Sequence, residues 1–124
     1  MSIEQAKQKI AEHLENDLLE YNDEEELSDH ERDWITYIVD HIEHFTGEVG
    51  ELTGKGKLYE MLANEWDKSA ADVSNGIGLD MARDMLFDQV TVWTSSNLTP
   101  EEAGPYIEEG ATTPEEVKQE MKNS

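Results

Sequence analysis

Apolar residues recur at helical spacing along most of the chain. Ile3, Ala6, Ile10, Leu14 and Leu18 fall three or four positions apart, which puts them on one face of a helix ending near Tyr21. Ser2 and Gln5 supply its start signal, a capping box in which the serine hydroxyl and the glutamine side chain satisfy free amides reciprocally. Residues 22–27 are polar and acidic and read as a connector. Ser28 with Glu31 repeats the capping box. Trp34, Ile35, Ile38, Ile42 and Phe45 then line one face of a second helix, which Gly47 and Gly50 end or loosen. Residues 53–57, with Gly54 and Gly56, read as a loop. Leu58, Met61, Leu62, Trp66 and Ala70 mark a third helix, broken at residues 74–78 with Gly76 and Gly78 as the capping residues. Leu79, Ala82, Leu86, Val90 and Trp93 mark a fourth, whose β-branched end from Val90 could fray or run extended.

Two near-identical helix starts follow, Thr99-Pro100-Glu101-Glu102 and Thr113-Pro114-Glu115-Glu116. In each, Thr is the cap, Pro takes the first helical position, and the acids meet the positive end of the macrodipole. The pattern predicts an all-α fold, a small helical bundle of about four main helices plus one or two short C-terminal helices. The expected organisation is a single domain over residues 1–124, with acidic helices at 2–51, core helices at 57–95 and short C-terminal helices at 99–122. Apolar residues make up only 36% of the chain, but three Trp, four Tyr and two Phe suffice to anchor one core. Trp34, Trp66 and Trp93 fall on the apolar faces of three different helices and are expected to pack there.

Charge changes this picture from a plain bundle to one with a polarised surface. The formal net charge is −21. Residues 12–51 hold fifteen of the thirty acids and a single base, Arg32, so this third of the chain carries −14. Residues 52–97 carry seven acids and four bases, a net −3. The array runs Glu12, Glu15, Asp17, Glu20, Asp23, Glu24, Glu25, Glu26, Asp29, Glu31, Asp33, Asp40, Glu43, Glu48 and Glu51. Like charge at such density opposes folding. A strongly basic partner is a reason to keep it, and many such partners are proteins that bind nucleic acid as a lattice of phosphates. Duplex DNA carries one charge per roughly 1.7 Å of axis, so −21 corresponds to about ten base pairs. Two helices of about twenty residues would each span roughly 30 Å, a commensurate length. The bland alternative is a solvated acidic surface kept for solubility or high-salt adaptation.

Other chemistry is sparse. With no cysteine, disulfides and thiolate metal sites are excluded. His41 and His44 stand three apart, a spacing that can present two imidazoles to one metal, but zinc needs three or four protein ligands, and solvent-facing histidines in a carboxylate field are the simpler expectation. Gly54-Lys55-Gly56-Lys57 lacks the spacing of a phosphate-cradling loop. No serine or threonine has the context of a nucleophile, so no enzyme and no cofactor are expected. The chain shows no apolar signal region and no apolar run near 18 residues, and a cytoplasmic location is expected. Nucleic acid and anionic membrane should both repel it.

A small, acidic, cysteine-free, helical chain with acid-rich helices at residues 12–20 and 29–51 resembles the Ocr-type DNA-mimic anti-restriction inhibitors of phages, and is similar in logic to acidic anti-CRISPR proteins. The resemblance implies a phage-encoded protein acting in a bacterial host cell. It would block the nucleic-acid-binding site of a defence nuclease, and would do so as a monomer or as a homodimer. The chain departs from that type at its end, Lys118-Gln119-Glu120-Met121-Lys122, where Ocr-type proteins can be acidic. Two other classes compete: an immunity or antitoxin-type protein holding one basic toxin or nuclease through aromatic anchors, and a structural or adaptor protein whose charge is incidental.

Overall fold

A computed structural model of the chain describes residues 2–46, 55–66 and 76–123. Among these, seven helices and no strand occur: α1 (Ile3–Asn22), α2 (Asp29–Asp40), α3 (Ile42–Thr46), α4 (Lys55–Glu65), α5 (Gly76–Thr94), α6 (Pro100–Glu108) and α7 (Pro114–Asn123).

Capping chemistry sets the starts of α1, α2 and α6 as the sequence predicts. Ser2 Oγ accepts from the Gln5 amide and Gln5 Oε1 from the Ser2 amide. Ser28 and Glu31 exchange the same pair of bonds at 3.2 and 2.9 Å, and Thr99 and Glu102 do so ahead of Pro100. At α7 the Thr113 hydroxyl accepts from the Glu116 amide, while the Glu116 carboxylate reaches back to the Thr112 amide.

Three boundaries differ from expectation. The second helix is not continuous: His41 adopts φ −127° and ψ 40°, which ends α2, and α3 restarts at Ile42. Lys55, Gly56 and Lys57 belong to α4 rather than to a loop, and Gly76 and Gly78 open α5 rather than cap the helix before it. Val90–Trp93 is helical, as the expected span 57–95 has it: Val90 and Trp93 are fully buried, and packing overrides the weak propensity of β-branched residues. Gly47, Gly50, Gly54, Ala70 and Ser74 lie outside the described residues.

The core gathers one stripe from each helix. Ala6, Ile10, Leu14 and Leu18 of α1 meet Trp34, Ile35, Ile38 and Val39 of α2, with Leu62 and Trp66 at α4 and Ala82, Leu86, Val90 and Trp93 of α5. α1 packs against α2, α4 and α5, and α5 also against α2 and α3. All three tryptophans are buried, and each indole N–H is satisfied. Trp34 donates to the Leu98 carbonyl (2.9 Å), Trp93 to Gln89 Oε1 (2.9 Å) and Trp66 to Asp17 Oδ2 (3.3 Å). The Trp34 and Trp93 rings stack at 4.8 Å. Val117, fully buried, anchors α7.

α1 and α2 run antiparallel. Lys7, near the start of α1, pairs with Asp40 at the end of α2 (3.5 Å), while Asn22, at the end of α1, donates to Glu31 at the start of α2 (3.3 Å). The connector turns at Asp23, whose left-handed conformation (φ 53°, ψ 46°) lets its amide close on the Glu20 and Leu19 carbonyls. Leu27, 7% exposed, pins the connector to the core.

Candidate functional site

The acidic hairpin of α1, its connector and α2 is the candidate site. Helix geometry decides where each acid goes. On α1, Glu12 lies opposite the buried stripe and is exposed, with Glu15 one turn away and half-buried. Glu20 is exposed on the other flank. Asp17 sits on the edge of the stripe and turns inward, where it accepts from the Trp66 indole. On α2, Asp29, Asp33 and Asp40 fall within an arc of roughly 40° at 100° per residue. They form one exposed outer ridge. Between the helices, Asp23, Glu24, Glu25 and Glu26 are all exposed.

The structure therefore brings nine of the expected residues to the exposed surface of the hairpin: Glu12, Glu20, Asp23, Glu24, Glu25, Glu26, Asp29, Asp33 and Asp40. It assigns Asp17 and Glu31 structural partners, the Trp66 indole and the α2 cap. Glu43 lies on α3, with no side-chain position described, and Glu48 and Glu51 lie outside the described residues.

Two cations of the chain temper the field. Lys7 pairs with Asp40, and Arg32 comes within 3.9 Å of Glu26, both groups exposed. Exposed pairs of this kind contribute little to stability. Glu24 responds to its surroundings. Its carboxyl is raised above the ordinary carboxylate value by desolvation, then by the charge of Glu31 and by a hydrogen bond shared with that side chain.

Sequence reasoning missed a neighbour. α6 packs beside α2, and burial, then the Glu108 carboxylate, raises the Tyr37 phenol. Negative charge thus extends from the hairpin onto α6. The one available signal was compositional: residues 98–124 hold seven acids and two lysines.

No family model, curated protein or solved structure matches the chain.

The histidines are engaged more than expected. His13 stacks on Trp66 at 5.2 Å, and His30 Nε2 lies 3.1 Å from the Ser96 carbonyl. His41 stacks on Tyr37 at 4.3 Å with Nδ1 2.9 Å from the Tyr37 carbonyl, and of the two neighbours only His44 is exposed. Among the described residues no three His, Asp or Glu side chains converge as metal ligands. No helix among them is long and apolar enough to cross a membrane. The chemistry this surface offers is a dense set of carboxylates held on capped, packed helices, suited to accepting hydrogen bonds from guanidinium and ammonium groups.

Proposed function

We propose that the protein is an acidic DNA mimic that occupies the nucleic-acid-binding site of a host defence nuclease, of the restriction or CRISPR type, and competes with nucleic acid there. The observation that carries the reading is the concentration of −14 in residues 12–51, together with the exposure of nine of those acids on one antiparallel hairpin. Fourteen phosphate charges occupy about 24 Å of duplex axis. The clustered acids of α1 begin at Glu12, so the part of that helix carrying them, to Asn22, extends about 15 Å. The second ridge is shorter than the sequence suggests, because α2 stops after 12 residues, so the length match depends on the helices and the acidic connector together. A target's arginines and lysines would meet carboxylates where they normally meet phosphates.

Cleavage assays test this with a panel of purified restriction and CRISPR nucleases and their DNA substrates. The protein should inhibit at least one of them, with inhibition falling steeply as salt rises. The control changes Glu24, Glu25, Glu26 and Glu31 to Gln and Asp29 and Asp33 to Asn together. Glutamine preserves the capping box at position 31, so the fold should persist while inhibition is severely weakened. Any one of the six changes alone should cost little. Undiminished inhibition by the sixfold variant would rule the reading out.

A further inference from the structure

Among the described residues three large apolar side chains are exposed: Ile3 (51%), Val92 (43%) and Tyr21 (67%). Tyr21 is the most exposed and the only aromatic among them. Its ring is held in place, edge to face with Phe87 of α5 at 5.5 Å and 81°. A buttressed aromatic loses less freedom on binding than a free one.

Its surroundings are anionic. Tyr21 sits in the last turn of α1, which contains no basic residue and carries the negative end of the helix dipole. Glu20 and Asp23 flank it in sequence, and Glu24 follows. Across the ring contact, Asp84 and Asp88 accompany Phe87 on α5 and are exposed. The chain's own Arg83 lines an adjoining cavity of about 240 Å³ together with Asp17, Trp66, Asp84 and Phe87.

We propose that Tyr21 is the aromatic anchor of the acidic surface and takes an arginine side chain of the basic partner. The guanidinium stacks on the open ring while the surrounding carboxylates accept its N–H groups. Arginine fits better than lysine because its planar, weakly hydrated head group stacks on aromatic faces. This rests on the mimicry reading and adds to it a specific contact that phosphate mimicry by carboxylates alone would lack.

Fluorescence anisotropy with labelled nona-arginine and nona-lysine peptides, at fixed salt, tests it on the full chain. Because Tyr21 is exposed, Tyr21→Ala, Tyr21→Leu and Tyr21→Phe should fold alike, checked by circular dichroism. Tyr21→Ala and Tyr21→Leu should each weaken nona-arginine binding about two- to fivefold. Tyr21→Phe, which keeps the ring, should stay close to wild type, and nona-lysine should lose less. The Tyr21 ring resonances should shift on addition of nona-arginine. Unchanged nona-arginine affinity in Tyr21→Ala overturns the anchor, and a loss as large for nona-lysine overturns the arginine assignment. A shift of wild type from dimer to monomer on Tyr21→Ala would make a second copy the occupant instead. The sixfold amide variant, run alongside, separates the two ideas: its failure to lose peptide binding counts against the acidic array, whatever Tyr21 does.

Discussion

Trp34 shows how much of this molecule depends on single side chains. Its indole is fully buried, donates to the Leu98 carbonyl and stacks on Trp93. It ties α2 to the end of α5 and to the segment entering α6. Trp34→Ala should cost about 3–5 kcal/mol through lost burial and the cavity left behind. Urea unfolding checks this, and a loss under about 1 kcal/mol would contradict the packing described. Glu24 makes the opposite kind of contribution. Its raised pKa means that the folded state holds the proton more tightly than the unfolded chain. The associated stability is fully present below the ordinary carboxylate value of 4.5 and is lost as pH rises through the raised value. Melting temperature should therefore climb as pH falls through the raised value, and Glu24→Gln should raise it at pH 7 and flatten that climb. A Glu24→Gln profile parallel to that of wild type would mean that neither desolvation nor Glu31 raises the Glu24 carboxyl.

The helices are where the sequence was most and least readable. Ser28 with Glu31 announced α2 because a capping box satisfies particular amides with particular side chains, and no tertiary information is needed. Ser28→Ala should cost about 1 kcal/mol, measured by the same unfolding, and should loosen the start of the helix that presents Asp29 and Asp33. The break at His41 was invisible for the converse reason. Ile38, Ile42 and Phe45 keep helical spacing straight across it, and neither Gly nor Pro marks the spot. Gly56, Gly76 and Gly78 misled in the other direction. A glycine weakens a helix by only about 1 kcal/mol, and the burial of Tyr59, Leu62, Ala82 and Leu86 outweighs that. The acids were legible as a composition but not as a surface. The cap at Glu31 was readable, but nothing in the sequence says that Asp17 turns in to Trp66 or that Glu108 comes to lie near Tyr37.

At the scale of the whole molecule, a net charge of −21 on 124 residues sets the behaviour. Repulsion among exposed acids should be relieved as the Debye length shrinks from about 30 Å at 0.01 M salt to about 3 Å at 1 M. The melting temperature should rise clearly over that range, and a flat response would mean that neighbours or a second copy already compensate the charge. Binding should respond in the opposite sense, because association with a basic partner weakens under the screening that steadies the fold. These opposed dependences distinguish an acidic surface kept for a partner from one kept for solubility, which predicts only the first.

Competition bears most directly on mimicry. An inhibited nuclease, labelled duplex and this protein are combined in one titration, and fluorescence anisotropy follows the duplex. Displacement of the duplex in proportion to added protein, with an apparent affinity that falls as duplex concentration rises, is the predicted result. A ternary complex, in which nuclease and duplex stay together while this protein also binds, would contradict it.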